Sequence, residues 1–140
     1  MKHVFIDTNV AIDLLMDREG FADDAEAIFT AAEVGECVVY MCSLSLTNIF
    51  YIVSKQMGRQ VALNDLRVLN RLVNVTPVTS AEINQALYSD FSDFEDAVQY
   101  FSALSVPRMD GIITRNPKDF RLSILPVITP KEFLAGLQDK

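Results

Sequence analysis

Short apolar runs alternate with longer segments of helical periodicity along the whole chain, and this alternation constrains the fold more than any other feature. Strands separated by helices pair in parallel, because a parallel connection needs room for a crossover helix. Runs that are apolar throughout are typical of strands buried on both faces. The sequence therefore predicts an α/β three-layer sandwich whose central, mostly parallel sheet has four to five short strands.

The predicted strands and helices follow one another without a linker or a repeat. Apolar runs predict strands at 4–6, 37–41, 111–114 and 125–128, and an edge strand at 75–78. Periodicity predicts helices near 9–16, 22–34, 43–57, 61–73, 80–88 and 93–105 and from Pro130 onwards. Capping boxes are expected to open three of them, at Thr79, Ser92 and Thr129. We interpret residues 1–140 as one domain.

Composition and charge narrow the classes of function. Half of the residues are hydrophobic, so a substantial core is expected, and the net charge of −7 disfavours general phosphate binding. No run approaches the roughly 18 apolar residues of a membrane span. The N-terminus lacks the long apolar centre of a signal peptide. We therefore expect a cytoplasmic protein without a membrane partner.

Acids and amides stand where two predicted strands end and where a late helix begins. They are Asp7 after the first strand, Thr114, Asn116 and Asp119 at and after the end of strand 111–114, and Asp93 and Asp96 at the start of helix 93–105. In open α/β sheets, ligands bind at the carboxyl ends of the strands. These side chains are therefore expected to share one pocket, whereas Asp13 is assigned to the acidic surface.

A pocket of carboxylates without histidine or cysteine favours a hard cation. Oxygen ligands suit Mg²⁺ or Mn²⁺, and crowded carboxylates take up protons unless a cation joins them. Such a site suits metal-assisted phosphodiester hydrolysis. Local explanations remain open, because Asp7, Asp93 and Asn116 all suit a helix start. Of the acids in this set, Asp96 is the one that a helix start explains least well.

Three motifs in a fixed order resemble the PIN domain family of metal-dependent ribonucleases, which includes VapC-like toxins of bacterial toxin–antitoxin pairs. They are "VFIDTNVAIDLL" at 4–15, "SDFEDAVQYFSA" at 92–103 and "DGIITRNPKDF" at 110–120. The resemblance covers nearly the whole chain. It implies a PIN-like fold and a divalent-metal-dependent endoribonuclease that acts on RNA. It further implies a toxin with a small antitoxin partner.

Carried over by position, the resemblance implies roles for individual residues. Asp7, Asp96 and Asp119 are expected to be the catalytic acids and the ligands of Mg²⁺ or Mn²⁺. Supporting roles fall to Asn9, Asn48, Asp93, Thr114 and Asn116. Arg115 and Lys118 are expected to contact RNA phosphates. The wide apolar faces of helices 43–57 and 61–73 are expected to serve a homodimer or an antitoxin interface.

One position departs from the family pattern. The family usually has a glutamate in the helix after the second strand, whereas helix 43–57 has Asn48 there and no acid. An amide oxygen can bind Mg²⁺ but brings no charge. The alternative interpretation is therefore a catalytically weakened or inactive PIN-fold module that binds RNA or a protein. A phosphatase or receiver domain would need an acid closing a middle strand, which strand 37–41 lacks.

Overall fold

A sheet of five parallel strands forms the centre of the protein in the computed structural model, which describes residues 1–138. The strands are β1 (Lys2–Ile6), β2 (Cys37–Cys42), β3 (Asn74–Thr76), β4 (Gly111–Ile113) and β5 (Val127–Ile128). Their order across the sheet is β3-β2-β1-β4-β5, and every neighbouring pair is parallel. The predicted fold class is confirmed, with β1 in the middle of the sheet.

The described residues form seven α-helices, six between strands and one after the last strand. They are α1 (Thr8–Leu15), α2 (Ala22–Glu33), α3 (Ser43–Met57), α4 (Arg59–Leu72), α5 (Ser80–Leu87), α6 (Phe94–Leu104) and α7 (Pro130–Gln138), and a 3-10 helix spans Pro117–Phe120. Each predicted helix is present, with bounds shifted by only a few residues. Over residues 1–138, no helix has the length and apolar character to cross a membrane.

The hydrophobic core lies on both faces of the sheet, because successive β1 side chains point in opposite directions. Val4 and Ile6 belong to a cluster that also contains residues of α1, α2, α3, α4 and α7, whereas Phe5 belongs to a cluster with residues of α5 and α6. Val4, Phe5 and Ile6 are almost completely buried. Burial on both faces explains why residues 4–6 of β1 form an uninterrupted apolar run.

The starts of the helices confirm two of the three predicted capping boxes. The Thr79 and Thr129 boxes form, each with its glutamate accepting a hydrogen bond from the backbone of the cap residue. The box predicted at Ser92 is wrong. Asp93 caps α6 instead, and its Oδ1 accepts a hydrogen bond from the Asp96 backbone N–H at 2.9 Å. The cap therefore lies one residue later, and Glu95 takes no part in it.

The carboxyl ends of the central strands bring distant parts of the chain together. The Asp7 backbone N–H donates to the Ile113 carbonyl at 2.9 Å, so the ends of β1 and β4 are adjacent. Helix α3 begins immediately after β2 on the other side of β1. The predicted convergence of strand ends is therefore present.

Candidate active site

A cleft with a volume of about 510 Å³ opens at the carboxyl end of β1. Its wall contains residues of α1, α3 and α6 and of the segment after β4. Five carboxylates and two amides line it, namely Asp7, Asp93, Glu95, Asp96 and Asp119 with Asn9 and Asn48. The structure thus brings together all three predicted catalytic acids and three of the five predicted supporting residues.

Asp7 lines this cleft, and among the described residues its carboxylate accepts hydrogen bonds from neutral donors only. The residue is 2% exposed. Gln99 Nε2 donates to Asp7 Oδ1 at 3.1 Å, and Thr114 Oγ1 donates to Oδ2 at 2.9 Å. Burial raises the Asp7 pKa, although these hydrogen bonds partly oppose the shift. The carboxylate is therefore held in a fixed orientation, and no cationic side chain within residues 1–138 forms an ion pair with it.

Gln99 fixes that orientation, and the sequence prediction missed it. Its Oε1 accepts from the Thr8 backbone N–H at 3.1 Å, so its Nε2 must face Asp7. Thr8 Oγ1 lies 2.6 Å from Ser45 Oγ, which links this network to α3. The available signal was a glutamine among the apolar residues of α6, three positions after Asp96 on the same helical flank.

Thr114 lies beside Asp7, as predicted, whereas the Asn116 side chain does not reach the cleft. Thr114 is fully buried. Its hydroxyl donates to Asp7 and accepts from the Asn116 backbone N–H at 3.1 Å. The Asn116 side chain is exposed and is not part of the cleft lining. Asn116 therefore contacts the site through its backbone.

The charges of the cleft act most strongly on Asp96. Burial, followed by the charges of Asp7, Asp93, Asp119 and Glu95, raises the Asp96 pKa to about 7. Like-charge repulsion of this kind disfavours ionising every acid at once. A divalent cation would relieve it.

Glu95 is a second residue that the sequence prediction missed. It is exposed on the first turn of α6 and lines the cleft. Burial of part of its carboxyl, and then the Asp93 charge, raises its pKa, whereas a hydrogen bond to the Asn48 side chain lowers it. The sequence pattern hid this role, because a glutamate three residues after Ser92 matches a capping box.

Asp13 and Arg115 lie outside the cleft and contact each other. Asp13 is 2% exposed, so its assignment to the acidic surface was wrong. Arg18 Nη1 and Arg115 Nε lie 3.3 Å and 3.1 Å from its two carboxylate oxygens. The Arg115 guanidinium also stacks on the Phe21 ring at 4.3 Å. The buried Arg115 Nε is in ion-pair range of Asp13 but lacks hydrogen-bond geometry.

The donor set of the cleft fits a hard divalent cation. Its acidic groups include five carboxylates, and amide oxygens stand beside them. Within residues 1–138, no three Asp, Glu, His or Cys side chains form a ready-made metal site. Mg²⁺ needs only one or two direct carboxylates, because it usually keeps several waters. The cleft therefore suits Mg²⁺ or Mn²⁺ better than a metal that requires a closed protein cage.

Comparison with known proteins agrees with the fold and the motifs. Residues 3–118 match the PIN domain. Ribonuclease VapC1 of Aquifex aeolicus (strain VF5) is 27% identical over 142 residues, which cover 94% of this chain and 93% of that protein. DNA-bound VapBC from Salmonella typhimurium matches with a TM-score of 0.69 at 14% identity, covering 93% of this chain and 99% of that one. A toxin–antitoxin complex from Klebsiella pneumoniae matches with a TM-score of 0.65 at 22% identity, covering 91% and 97%.

Proposed function

The chain belongs to the PIN domain family, and from this premise we propose that it is an endoribonuclease that hydrolyses RNA phosphodiester bonds at the acidic cleft. Ribonucleases of this family generally depend on a divalent metal. The observation that carries the proposal is the state of Asp7: a buried carboxylate, oriented by neutral donors, on the wall of a cleft with four further acids. The similarity to Ribonuclease VapC1 supports the same activity.

Asp7, Asp96 and Asp119 are the residues that we propose to hold Mg²⁺ or Mn²⁺. When bound, such an ion polarises the phosphodiester and lowers the pKa of a water at the site. Gln99 and Thr114 keep the Asp7 oxygens in place. Asp96, with its pKa near 7, gives up its proton when a cation binds, so binding is coupled to proton release.

The surroundings of the cleft offer contacts for single-stranded RNA. Tyr51 is 67% exposed on the cleft wall, and Lys55 Nζ lies 5.8 Å from its ring centre. An exposed ring of this kind can stack on an unpaired base, and a lysine beside it can contact a phosphate. Lys118 is exposed next to Asp119. It is a better candidate for a phosphate contact than Arg115, which already pairs with Asp13.

We further propose that the chain is the toxin of a toxin–antitoxin pair and acts in the cytoplasm. The Klebsiella pneumoniae match is a toxin–antitoxin complex, and the relative from Aquifex aeolicus carries the VapC name. Helices α3 and α4 expose apolar side chains that suit a small antitoxin or a second copy of the chain, namely Leu44, Met57, Val61 and Val68.

A non-catalytic module that binds RNA or a protein is the second candidate function. Asn48 favours it, because the amide lines the cleft where the family pattern has an acid. The test incubates the purified chain with mixed RNAs in Mn²⁺, in EDTA and as the Asp7→Asn variant. The control is Asp23→Asn, which removes an exposed acid from α2.

The proposed nuclease cleaves RNA in Mn²⁺, keeps this activity as Asp23→Asn, and loses it in EDTA and as Asp7→Asn. We expect the loss in Asp7→Asn to be on the order of 10²-fold to 10³-fold, as for other preorganised electrostatic groups. Cleavage that persists in EDTA or in Asp7→Asn would contradict the metal-dependent mechanism. RNA binding without cleavage of any RNA would favour the module.

A further inference from the structure

Helix α3 supplies the cleft with an amide in place of an acid. Asn48 lines the cleft, and α3 contains no Asp or Glu over its whole length, Ser43–Met57. A cation site loses attraction when a carboxylate is replaced by a neutral oxygen. The question is whether another part of the chain restores the missing charge.

Glu95 stands in the right place to restore it. It is on the first turn of α6 and lines the same cleft as Asn48 of α3, and the Asn48 side chain is near enough to lower the Glu95 pKa. It is close enough to Asp7 and Asp96 for their charges to act on one another. Asp93 performs the capping of α6, so Glu95 is not needed for the helix start.

We propose that Glu95 takes the place of the acid missing from α3, and that the Asn48 amide holds its carboxylate at the cation site of the cleft. The inference rests on the proposed function, since it assigns a further residue to the same metal site. Asn48 and Glu95 then work as one unit, in which α6 supplies the charge and α3 supplies the hydrogen bond. Although Asn48 stands where the family pattern has an acid, the cleft still contains five carboxylates.

The chain allows a direct test, because the charge can be moved from one helix to the other. The variants are Glu95→Gln, which removes the charge, Asn48→Ala, which removes its anchor, and Asn48→Glu with Glu95→Gln, which places the acid on α3. The control is Glu26→Gln, an exposed acid of α2 outside the cleft. Mn²⁺ affinity is measured by calorimetry and by the electron paramagnetic resonance of free Mn²⁺, with thermal unfolding to check folding.

We expect Glu95→Gln to weaken Mn²⁺ binding by about tenfold to 100-fold and Asn48→Ala by a smaller factor, as for groups that support metal ligands. The charge-swapped double variant should regain most of the wild-type affinity, and Glu26→Gln should match the wild type. RNA cleavage is expected to follow the same order.

Two outcomes would overturn the inference while leaving the proposed function intact. One is wild-type Mn²⁺ affinity in Glu95→Gln, and the other is a double variant that folds but binds as weakly as Glu95→Gln. A wild-type chain that neither binds Mn²⁺ nor cleaves RNA would instead refute the proposed function, and this inference with it.

Discussion

Asp7 and Asp13 are two aspartates on the same strand–helix unit, equally buried at 2% exposure, with opposite surroundings. Asp13 has two arginines, Arg18 and Arg115, within ion-pair distance. Within residues 1–138, Asp7 has only neutral hydrogen-bond donors. A buried carboxylate is costly unless an opposite charge compensates it. The described residues supply that charge to Asp13 but not to Asp7, which is the acid that we propose to bind a cation.

This difference separates a structural acid from a candidate metal ligand better than burial or sequence spacing does. Asp13, on α1, pairs with Arg18 in the turn after α1 and with Arg115 in the segment that follows β4. It therefore holds these parts of the chain together. Asp7 instead faces a cleft with four other acids. A compensated and an uncompensated carboxylate should respond differently when each is neutralised.

The largest expected effect is on stability, and it belongs to Asp13. Asp13→Asn leaves Arg115 beside Phe21 without its counter-charge, which we expect to cost about 2–3 kcal/mol of unfolding free energy. Full burial of a pair would cost more, about 3–5 kcal/mol, but both arginines here remain partly exposed. Urea unfolding in EDTA measures this change.

Asp7→Asn is the matched variant for that experiment, because it makes the same change at the uncompensated acid. It removes an unpaired buried charge, so unfolding free energy in EDTA should stay within about 1 kcal/mol of the wild type or increase. Similar destabilisation by both substitutions would show that the two acids do not differ as described.

The second effect is the pH dependence that the acidic cleft imposes. Asp96 has a pKa of about 7 in the folded protein, and burial also raises the pKa of Asp7. Aspartates in the unfolded chain titrate at about 3.9. Between these values the folded state binds more protons than the unfolded state. The stability of the metal-free protein should therefore fall as pH rises towards 7, and level off above it. Thermal unfolding in EDTA at a series of pH values measures the trend.

Metal binding should show the opposite pH trend, because protons compete with the cation at Asp96. Below pH 7, Mn²⁺ affinity should fall by up to about tenfold for each pH unit, as one proton is displaced. Asp96→Asn provides the control, since this variant should lose most of both pH dependences. A metal-free protein whose stability rises with pH between 5 and 7 would contradict the raised pKa of Asp96.

Much of this arrangement could be predicted from the sequence. Residues 4–6 of β1 and the whole of β2 are uninterrupted apolar runs, and the strand-end rule predicted that Asp7 lies beside the segment after β4. The burial of Asp13 could not be predicted, because its partner Arg115 is distant in the sequence and no local pattern links the two. Glu95 was missed because Ser92 and Asp93 can both cap a helix, and the structure uses Asp93.

A smaller effect is expected from Gln99, which orients Asp7 without lining the cleft. Gln99→Met keeps the volume but removes a donor to Asp7 and the acceptor of the Thr8 N–H. We expect a loss of about 1–3 kcal/mol in stability, as for an unsatisfied buried polar group. As a positioning residue, it should lower kcat by about tenfold with little change in KM, provided that Asp7 acts in the chemical step.

Gln60→Met is the control for this variant, because Gln60 is exposed and hydrogen-bonds only Asn64. It should leave both stability and steady-state cleavage kinetics unchanged. A Gln99→Met variant that loses stability but cleaves RNA at the wild-type rate would assign Gln99 to packing alone.

The smallest expected effect distinguishes the two cations that follow β4. Lys118 is exposed beside the cleft, so Lys118→Ala should weaken RNA binding a few-fold and reduce the slope of log affinity against log salt by about 0.7, as for one single-strand phosphate. Arg115→Ala should leave that slope unchanged and lower thermal stability, because Arg115 forms an ion pair with Asp13. Fluorescence anisotropy of RNA, on the Asp7→Asn background to prevent cleavage, measures both slopes. If Arg115→Ala lowers the slope and leaves stability intact, then Arg115 is available to RNA, and Arg18 alone compensates Asp13.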